Sequence, residues 1–367
     1  MRVCLVSMEI FAWGKHGGYG RATRIIGREL VKRGVDVFAV VPRRGDQKPA
    51  ELLDGIRVLA FEPSAPWRAV HLLRNCDADV YHSQEPSFGT WLARRAMPHR
   101  THVVTCRDTH DLTDWLTEVR YPSLSRLQVL INLGYEDNLL VQRAVRQADE
   151  VFCAAEFLRA KAQRKYRLSS TPRFLPTPVA VPPVVQKSSQ PTVCYLARWD
   201  RRKRPELFLE LARSFPEVTF VAFGNSRDLE YESRLRRQYG DLPNLAMPGY
   251  VDQFGSSEVS RILSESWILV NTSVREGLPN AYLEAAAHGC AILSAVDPDG
   301  FATRFGAPVR NDDFAAGLTG LLQQDRWRTR GEAGRKYISE TFELERAVDA
   351  HLAVYYQTMN HSGLRRE

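Results

Sequence analysis

The sequence lacks any long apolar run. No stretch approaches the roughly 18–20 residues that a membrane-spanning helix needs, and the N-terminus offers only VCLV before Ser7 and Glu9. That run is too short for the hydrophobic region of a secretory signal peptide. We therefore expect a protein that neither spans a membrane nor is exported.

Paired cysteines are also missing. The six cysteines of this 367-residue chain are scattered singly, mostly in apolar strand-like runs, and none forms a CxxC pair. Isolated thiols of this kind are typical of buried, reduced cysteines. The pattern predicts a cytoplasmic protein without disulfides.

Negative charge is scarce in the first half of the chain. Residues 1–173 carry 27 Lys and Arg against 19 Asp and Glu, whereas residues 174–367 carry 23 against 24. A basic half could face anionic lipid, nucleic acid or an acidic substrate, or could simply be solvated arginine. Zinc-finger spacing and aromatic-basic interleaving are absent, so nucleic acid is not an expected partner. Peripheral contact with the anionic inner face of a membrane remains a hypothesis.

Short apolar runs alternate with longer amphipathic segments. The runs that predict buried strands are VCLVSM, VDVFAVVP, IRVLAF, ADVYHS, THVVTC and DEVFCAA, followed by VCYLA, VTFVAFG, NLAMPGYV, WILVNTS and CAILSA. Segments such as RATRIIGRELVKRG and RPELFLELARSF have helical periodicity. This alternation predicts an α/β protein with two Rossmann-like, doubly wound parallel sheets that face each other across a cleft.

A proline-rich stretch marks the domain boundary, because it starts no periodic pattern. We predict a first domain over residues 1–178, a linker over 179–191 and a second domain over 192–342. An amphipathic helix at about 343–360 is expected to pack back on the first domain. Ligands of such sheets bind outside the carboxyl ends of the strands, so motifs at those ends are candidate sites.

The first predicted strand leads into the glycine-rich loop WGKHGGYGRATR. Gly17, Gly18 and Gly20 allow the backbone to approach a ligand, and the following helix offers N–H groups to an anion. A dinucleotide fingerprint needs a further glycine where the chain has Thr23, and the second strand ends in PRR without an acid for a ribose. An NAD-dependent dehydrogenase is therefore disfavoured. Each glycine could equally serve a turn.

A cationic block, YLARWDRRKRPELFLELA, follows the first strand of the second domain. Arg198 comes directly after the strand, and Lys203 precedes the next helix. A guanidinium fork and an ammonium group together suit a diphosphate. The neighbouring Arg201, Arg202 and Arg204 are expected to be solvated.

The segment REGLPNAYLEAAAHGC places two glutamates eight residues apart. Glu276 lies on a turn, and Glu284 lies inside the helix predicted from Asn280 to His288, with Pro279 as its first residue and Gly289 beyond its end. The helix N-terminus can present N–H groups to a phosphate. Glu284 can accept hydrogen bonds from a ribose diol, and Glu276 can meet the group beyond the phosphates, so the spacing suits a nucleotide-sugar.

These segments together resemble the retaining nucleotide-sugar glycosyltransferases of family 4 (glycosyl transferases group 1), which have the GT-B fold. EGLPNAYLE resembles their Glu-x7-Glu motif, GGYGRAT their first loop, and ARWDRRKRPELFLELA their phosphate-binding block, with Ala197 where glycine is usual. NLAMPGYV resembles the stretch beside the base, and ETFELERAVDAHLAVYY resembles the returning C-terminal helix. The resemblance covers nearly the whole chain.

The resemblance implies a function and a set of residues. It implies retaining transfer of a hexose-type sugar from a nucleotide-diphosphate sugar to a glycan, lipid-linked or small-molecule acceptor, without a metal or other cofactor. Glu276, Arg198 and Lys203 would be catalytic. The donor would be bound by Glu284, Gly277, Leu278, Pro279 and Asn280 of the second domain and by Gly18 of the first.

The chain departs from the family pattern on the acceptor side. In VVTCRDTHD, Arg107 and Asp108 occupy the places of the usual histidine and aspartate, so the histidine is missing, and His110 follows two residues after Asp108. Either His110 substitutes, or Arg107 contacts an anionic acceptor. The family's Asn-Gly-Val segment becomes Thr177-Pro178-Val179.

The segment HSQEPS adds polar residues to the same domain. Its Glu85 joins Arg107, Asp108 and His110 as a candidate for the acceptor or sugar pocket. A lone histidine in such a position is more often structural than functional, so His82 is expected to be a structural residue.

Other functions remain as alternatives. A glycoside hydrolase could use Glu276 and Glu284 as an acid/base pair, but Arg198 and Lys203 would then have no role. A metal-dependent transferase would use an Asp-x-Asp motif, yet the motifs DAD at 77–79 and DPD at 297–299 precede a strand or sit in a turn. A non-catalytic nucleotide-sugar-binding module is the third alternative.

Overall fold

The structure, a computed structural model, describes residues 1–14 and 17–364. Residues 15 and 16 of the first loop and residues 365–367 lie outside the described part. The chain forms two compact units. The first contains residues 1–111, 130–178 and the C-terminal segment from 344, and the second contains 112–129 and 179–343.

The elements are labelled in chain order. The strands are β1 (Arg2–Val6), β2 (Asp36–Pro42), β3 (Ala50–Leu53), β4 (Ile56–Phe61), β5 (Val80–Ser83), β6 (Thr101–Cys106), β7 (Glu150–Cys153), β8 (Arg173–Phe174), β9 (Thr192–Leu196), β10 (Thr219–Phe223), β11 (Leu245–Gly249), β12 (Ile268–Asn271), β13 (Ala291–Ser294) and β14 (Gly306–Pro308). The helices are α1 (Gly18–Lys32), α2 (Ala69–Cys76), α3 (Phe88–Ala96), α4 (Leu112–Arg120), α5 (Arg126–Glu136), α6 (Leu139–Arg146), α7 (Glu156–Tyr166), α8 (Pro205–Ser214), α9 (Leu229–Tyr239), α10 (Glu258–Glu265), α11 (Asn280–Ala287), α12 (Phe301–Phe305), α13 (Phe314–Leu322), α14 (Arg326–Thr341) and α15 (Leu344–Leu364).

The sheet of the first unit has the strand order β3-β4-β2-β1-β5-β6-β7-β8. Strand β1 pairs in parallel with β2 on one side and with β5 on the other. The edge strand β3 pairs antiparallel with β4. The direction of winding therefore reverses between β1 and β5.

Helices cover both faces of this sheet. Along β1, Val3 and Leu5 pack with Leu30 of α1 in one core cluster. The alternate residue Val6 packs with Leu73 of α2 in another. Because successive strand residues point to opposite faces, the two clusters lie on opposite sides of the sheet. The first unit is doubly wound, as predicted.

The sheet of the second unit is fully parallel in the described residues, with the order β11-β10-β9-β12-β13-β14. The chain winds outward from β9 through β10 to β11, then returns to β12 and winds the other way. The topological switch point therefore lies between β9 and β12, where open α/β sheets bind ligands. On one face, Val193 packs with Phe208 of α8, and the alternate residue Cys194 is fully buried too.

Every apolar run predicted as a strand forms one. The sequence analysis missed β3, β8 and β14. Strand β3 is a half-exposed antiparallel edge, and β8 has only two residues. Strand β14 reads Gly-Ala-Pro. Such short or exposed segments carry no run of buried side chains from which a strand could be predicted.

The predicted boundary after residue 178 coincides with a boundary between the units, but two segments group differently from the predicted domains. Residues 112–129 were assigned to the first domain but group with the second unit, because acidic residues of α4 pair with arginines there, as described below. The segment 179–191, predicted as the interdomain linker, groups with the second unit and is hydrogen-bonded to it. The indole of Trp267 donates to the Ser188 carbonyl at 2.8 Å, and the Val179 amide donates to the Phe342 carbonyl at 2.9 Å.

Two helical glycines of the second unit should respond in opposite ways to alanine. A Cβ at Gly331 in α14 would lie 2.1 Å from the Gly289 carbonyl oxygen, whereas a Cβ at Gly320 in α13 would meet nothing within 4 Å. We expect Gly331→Ala to lower the free energy of unfolding by about 1–3 kcal/mol through overpacking. Gly320→Ala should raise it by about 0.5–1 kcal/mol by reducing chain entropy. Urea denaturation measures both, and equal effects would contradict the packing described here.

Candidate functional site

The two motifs of the second domain lie side by side at the switch point. The turn after β9 carries residues 197–204, and the turn after β12 carries residues 272–279. Because β9 and β12 are neighbours in the sheet, their carboxyl ends meet at one edge. The sheet therefore brings the two motifs together in space although they are far apart in the sequence.

Hydrogen bonds fix the turn after β9. The Asp200 carboxylate accepts from the Lys203 amide at 3.1 Å, and its carbonyl accepts from the Arg204 amide at 3.1 Å. The Thr272 hydroxyl then donates to the carbonyls of Lys203 at 2.5 Å and Arg204 at 2.9 Å. This threonine ties the first turn to the start of the second.

A buried ion pair joins the two turns. The Lys203 ammonium donates to Oε1 of Glu276, and the two side chains are only 13% and 11% exposed. The same oxygen accepts from the Ser273 hydroxyl at 2.7 Å and from Nδ2 of Asn271 at 3.4 Å. Burial alone would raise the pKa of Glu276, but the charges of Lys203 and Arg202 outweigh it and lower the pKa. Glu276 is therefore an ionised acceptor of hydrogen bonds.

Arg198 differs from Lys203 in its exposure. Its side chain is 39% exposed, and Nη2 lies 3.6 Å from Oδ2 of Asp200. That distance exceeds a hydrogen bond, and Oδ2 has no hydrogen-bond partner in the described part of the chain. Of the two cationic residues predicted to bind a diphosphate, Lys203 forms an ion pair with Glu276, and Arg198 is loosely held at the surface.

Helix α11 starts at Asn280, as predicted, and ends at Ala287, one residue before the predicted end. Pro279 is the N-cap, with φ −65° and ψ 131°, rather than the first helical residue as predicted. Gly289 follows the helix with φ +71°, a left-handed conformation that favours glycine. Glu284 is buried within α11. The predicted donor-binding residues Gly277, Leu278, Pro279 and Asn280 form the turn that enters this helix, and their roles stay predictions.

The prediction that Arg202 is solvated was wrong. Arg202 donates to the Glu118 carboxylate of α4. Arg275 pairs with Asp114 of the same helix at 2.8 Å and with Glu118 at 3.4 Å. Burial lowers the pKa of Arg202, but the carboxylates of Glu118 and Glu276 more than reverse that effect. Two acids one helical turn apart thus anchor α4 to both turns of the site.

Arg204 is not solvated either. Its guanidinium binds Asp312 through two hydrogen bonds of 2.6 and 2.9 Å and donates to the Thr272 carbonyl at 2.7 Å. Arg201 is exposed, as predicted. Such ion pairs join residues about a hundred positions apart, so local spacing gives no sign of them. The acids at 114 and 118, spaced for one helix face, were the available signal for α4.

A carboxylate of the protein itself, that of Glu9, contacts the first loop. The Gly20 amide donates to Oε1 of Glu9 at 3.2 Å, and a Cβ at Gly17 would lie 1.9 Å from the same oxygen. The carboxylate of Glu9 therefore lies where the sequence predicted a bound anion at the start of α1. Gly18 is the first residue of this helix, and its contact with the donor stays a prediction.

Among the acceptor-side candidates of the first unit, Glu85 and Arg107 are buried, and Glu85 is hydrogen-bonded to the main chain of Arg107 and Asp108. Glu85 accepts from the amides of Arg107 and Asp108, and burial raises its pKa well above the usual value. Arg107 donates to Thr177 at 2.7 Å and to Gln84 at 2.8 Å. Burial lowers the pKa of Arg107 to about 10. The two departures from the family pattern, at 107 and 177, thus contact each other.

Two histidines of the first unit are structural. His82 is fully buried and bonds Tyr355 at 2.7 Å and Thr105 at 2.8 Å, which supports the structural interpretation. His351 bonds the Pro176 carbonyl at 3.1 Å. His110 is buried, and its carbonyl accepts from Lys165 at 2.7 Å. Whether His110 replaces the missing pocket histidine stays a prediction.

The remaining expectations concern cysteines, acidic pairs and membrane spans. All six cysteines are free and buried, as predicted. Both Asp-x-Asp segments make structural hydrogen bonds, since Asp79 accepts from the Arg2 amide at 2.8 Å and Asp297 from the Ala302 amide at 2.7 Å. Within residues 1–14 and 17–364, no group of three or more His, Cys, Asp or Glu could hold a metal ion. Over the same residues, no helix combines the length and apolar character required to cross a bilayer.

Comparison with solved structures defines the class of fold. Sucrose-phosphate synthase from Thermosynechococcus elongatus aligns over 98% of this chain and 99% of its own, with 16% identity and a TM-score of 0.74. HepE of Anabaena, solved with UDP and glucose, aligns over 96% and 98%, with 11% identity and a TM-score of 0.70. The pneumococcal O-GlcNAc transferase GtfA, solved with UDP and GlcNAc, aligns over 98% and 99%, with 10% identity and a TM-score of 0.69. The chain has the GT-B fold of glycosyltransferases.

Comparison with family models assigns the chain more closely. Residues 16–181 match the model for glycosyltransferase family 4, and residues 181–307 match the model for glycosyl transferases group 1. The chain therefore belongs to the family 4, group 1 glycosyltransferases, as the resemblance implied. A curated relative, the processive diacylglycerol α-glucosyltransferase of Acholeplasma laidlawii, is 44% identical over 52 residues. That match spans only 14% of this chain and 16% of the relative's length.

The two cations should differ in their effect on stability. Removing Lys203 leaves the Glu276 carboxylate buried without its partner, so we expect Lys203→Ala to lower the free energy of unfolding by about 3–5 kcal/mol. Arg198→Ala removes an exposed, loosely held side chain and should cost less than about 1 kcal/mol. Chemical denaturation of both variants tests this. Comparable losses would show that the ion pair does not hold the turns together.

Acid should destabilise the first unit through its buried histidines. Burial, together with the charge of Arg107, lowers the pKa of His351 to about 3, and burial also lowers that of His82. Because the folded pKa lies below the unfolded value, protons bind first to the unfolded state as the pH falls below about 6.5. Between about pH 7.5 and about pH 5.5, each histidine should reduce stability by about 1.4 kcal/mol.

The measurement is the free energy of unfolding as a function of pH. Relative to the parent protein, His351→Gln should make the change in stability over this range less unfavourable by about 1.4 kcal/mol. The control is His71→Gln, at an exposed histidine, which should leave the pH dependence unchanged. If His351→Gln behaves like His71→Gln, the buried histidines are not the source of the acid sensitivity.

Proposed function

We propose that this glycosyltransferase moves a hexose-type sugar from a nucleotide-diphosphate sugar, with retention of anomeric configuration and without a metal ion. The observation that carries the proposal is the arrangement at the switch point of the second unit. There, a buried Lys203–Glu276 pair lies beside the half-exposed Arg198 and the start of α11. Cationic groups, helix amides and an ionised carboxylate are what a diphosphate linked to a sugar requires.

The donor diphosphate would meet Arg198 first. A half-exposed guanidinium can turn from Asp200 toward a phosphate and bind two of its oxygens. The N-terminus of α11 adds N–H groups and the positive end of the helix dipole. Glu284 would accept hydrogen bonds from the ribose. HepE and GtfA were both solved with UDP, so UDP-sugars are the first donors to test.

Charge distribution supports transfer through electrostatic stabilisation. Sugar transfer passes through an oxocarbenium-like state while negative charge grows on the departing diphosphate. Arg198, Lys203 and the amides of α11 would stabilise that charge as it develops. The leaving phosphate would take the proton of the acceptor, as the family resemblance implies.

The ionised state of Glu276 disfavours this residue as the proton donor of a glycoside hydrolase, but it is compatible with the role of nucleophile or base. The proton donor of such a pair keeps its proton because its pKa is raised. The pKa of Glu276 is instead lowered, and Lys203, Ser273 and Asn271 all donate to one of its oxygens. Such a carboxylate suits the hydroxyl groups of the transferred sugar. It does not suit proton donation.

For the acceptor we propose a lipid-linked or glycan hydroxyl at the inner face of the membrane, in the cytoplasm. The short match to a diacylglycerol glucosyltransferase and the basic first half of the chain favour this class. The buried guanidinium of Arg107, which donates to the neutral side chains of Thr177 and Gln84, would favour an anionic group on the acceptor. Peripheral binding to anionic lipid would bring enzyme and acceptor together.

Arg198→Ala should reduce turnover by about 10²–10³-fold, because it removes one stabilising donor from the departing diphosphate. The measurement is the rate at which the purified protein slowly hydrolyses UDP-, GDP- and ADP-sugars. The released product is quantified with and without EDTA. The matched control is Arg201→Ala, an exposed arginine of the same turn, which should keep nearly full activity. Equal rates for both variants would remove Arg198 from the donor site, and loss of activity in EDTA would remove the metal-independent mechanism.

A further inference from the structure

Helix α5 exposes the side that an amphipathic helix normally buries. Of its eleven residues, Val129 is the one that is buried. Leu127, Leu130 and Ile131 are 67%, 56% and 56% exposed. Residues at these spacings share one face of a helix, so α5 presents an apolar stripe to solvent. Contiguous exposed apolar surface of this kind marks an interaction site.

Helix α4 repeats the arrangement. Leu112 and Leu116, one turn apart, are 76% and 62% exposed. Trp115 is buried, and the acids Asp114 and Glu118 pair with Arg275 and Arg202 on the opposite side. The helix therefore turns its acidic face to the donor turns and its leucines outward. Leu124, between the two helices, is 49% exposed.

The charges of residues 112–131 indicate what kind of partner these residues bind. Within residues 112–131, Asp114 and Glu118 are the acids, and both are turned inward. The exposed charges are those of Arg120 and Arg126. Apolar stripes flanked by arginine complement anionic lipid headgroups. The exposed Asp111, which precedes Leu112, is paired with Lys161 at 3.1 Å. A second copy of the same surface would bring like charges together.

We propose that α4 and α5 each carry a bilayer-docking surface, with their exposed leucines entering the interface and Arg120 and Arg126 on headgroup phosphates. This inference deepens the membrane contact proposed above and rests on it. Because the other face of α4 holds Arg275 and Arg202, the donor turns would lie about one helix diameter, ~10 Å, above the lipid. A lipid-linked acceptor would then meet the donor without leaving the membrane.

The test is co-sedimentation of the full-length protein with phosphatidylcholine vesicles, with and without phosphatidylglycerol. We expect binding to the anionic vesicles that weakens as salt is raised. The double variant Leu127→Ser/Ile131→Ser should lower the partition coefficient about tenfold or more. Arg120→Gln/Arg126→Gln should lower it about tenfold on anionic vesicles alone. The matched control is Leu229→Ser, at a leucine of α9 that is 74% exposed, which should bind like the parent protein.

Donor hydrolysis by the same variants separates this inference from the proposed function. Retained hydrolysis with lost vesicle binding in the leucine double variant is the expected result. Absence of binding to anionic vesicles by the parent protein would overturn the inference. Equal vesicle binding by the Leu127→Ser/Ile131→Ser and Leu229→Ser variants would also overturn it. The same holds if sedimentation velocity shows that the parent protein and the Leu229→Ser variant are dimers and that the Leu127→Ser/Ile131→Ser variant is a monomer. Vesicle binding without donor hydrolysis in the parent protein would overturn the proposed function and leave the docking surface standing.

Discussion

The buried ion pair between Lys203 and Glu276 is the interaction on which the site depends. It joins the turns that follow β9 and β12, the two strands on either side of the switch point. A bare carboxylate or ammonium at this depth would be costly, so each residue requires the other. Ser273 and Asn271 complete the bonds to the carboxylate. The pair therefore sets the distance between two loops that are about seventy residues apart in sequence.

Around this pair, buried and exposed charges have separate roles. Arg202 and Arg275 point away from solvent and bind the acids of α4, while Arg204 binds Asp312. Arg198 is left at the surface of the turn. The arginines of residues 198–204 thus divide into those that hold the fold, Arg202 and Arg204, and those left at the surface, Arg198 and Arg201. Of the latter pair, Arg198 is the one proposed to bind the donor. Helix α4 links the donor turns to the exposed apolar surface, so substrate binding and membrane docking would share one element.

Much of the fold could be predicted from the sequence, because strands buried on both faces are continuous apolar runs. Strands with too few buried residues, such as β14, leave no such pattern. The motifs at the strand ends were predicted for the same reason, since a turn after a buried strand must reach the edge of the sheet.

Individual side-chain contacts that depend on tertiary packing could not be predicted from the sequence. Glu9 at the start of α1, Arg202 with Glu118, and Arg107 with Thr177 are set by tertiary packing. No local spacing encodes them. The grouping of α4 with the second unit follows from such pairs, so it was not part of the prediction of a first domain continuous from residue 1 to residue 178.

Amide hydrogen exchange of the protein with and without UDP tests the central claim most directly. If the two turns bind the diphosphate, UDP should slow exchange at residues 198–204 and 274–284, with the largest effect at the start of α11. Exchange in the first turn of α9 should stay unchanged. Protection confined to other parts of the chain, or no protection at saturating UDP, would contradict the account.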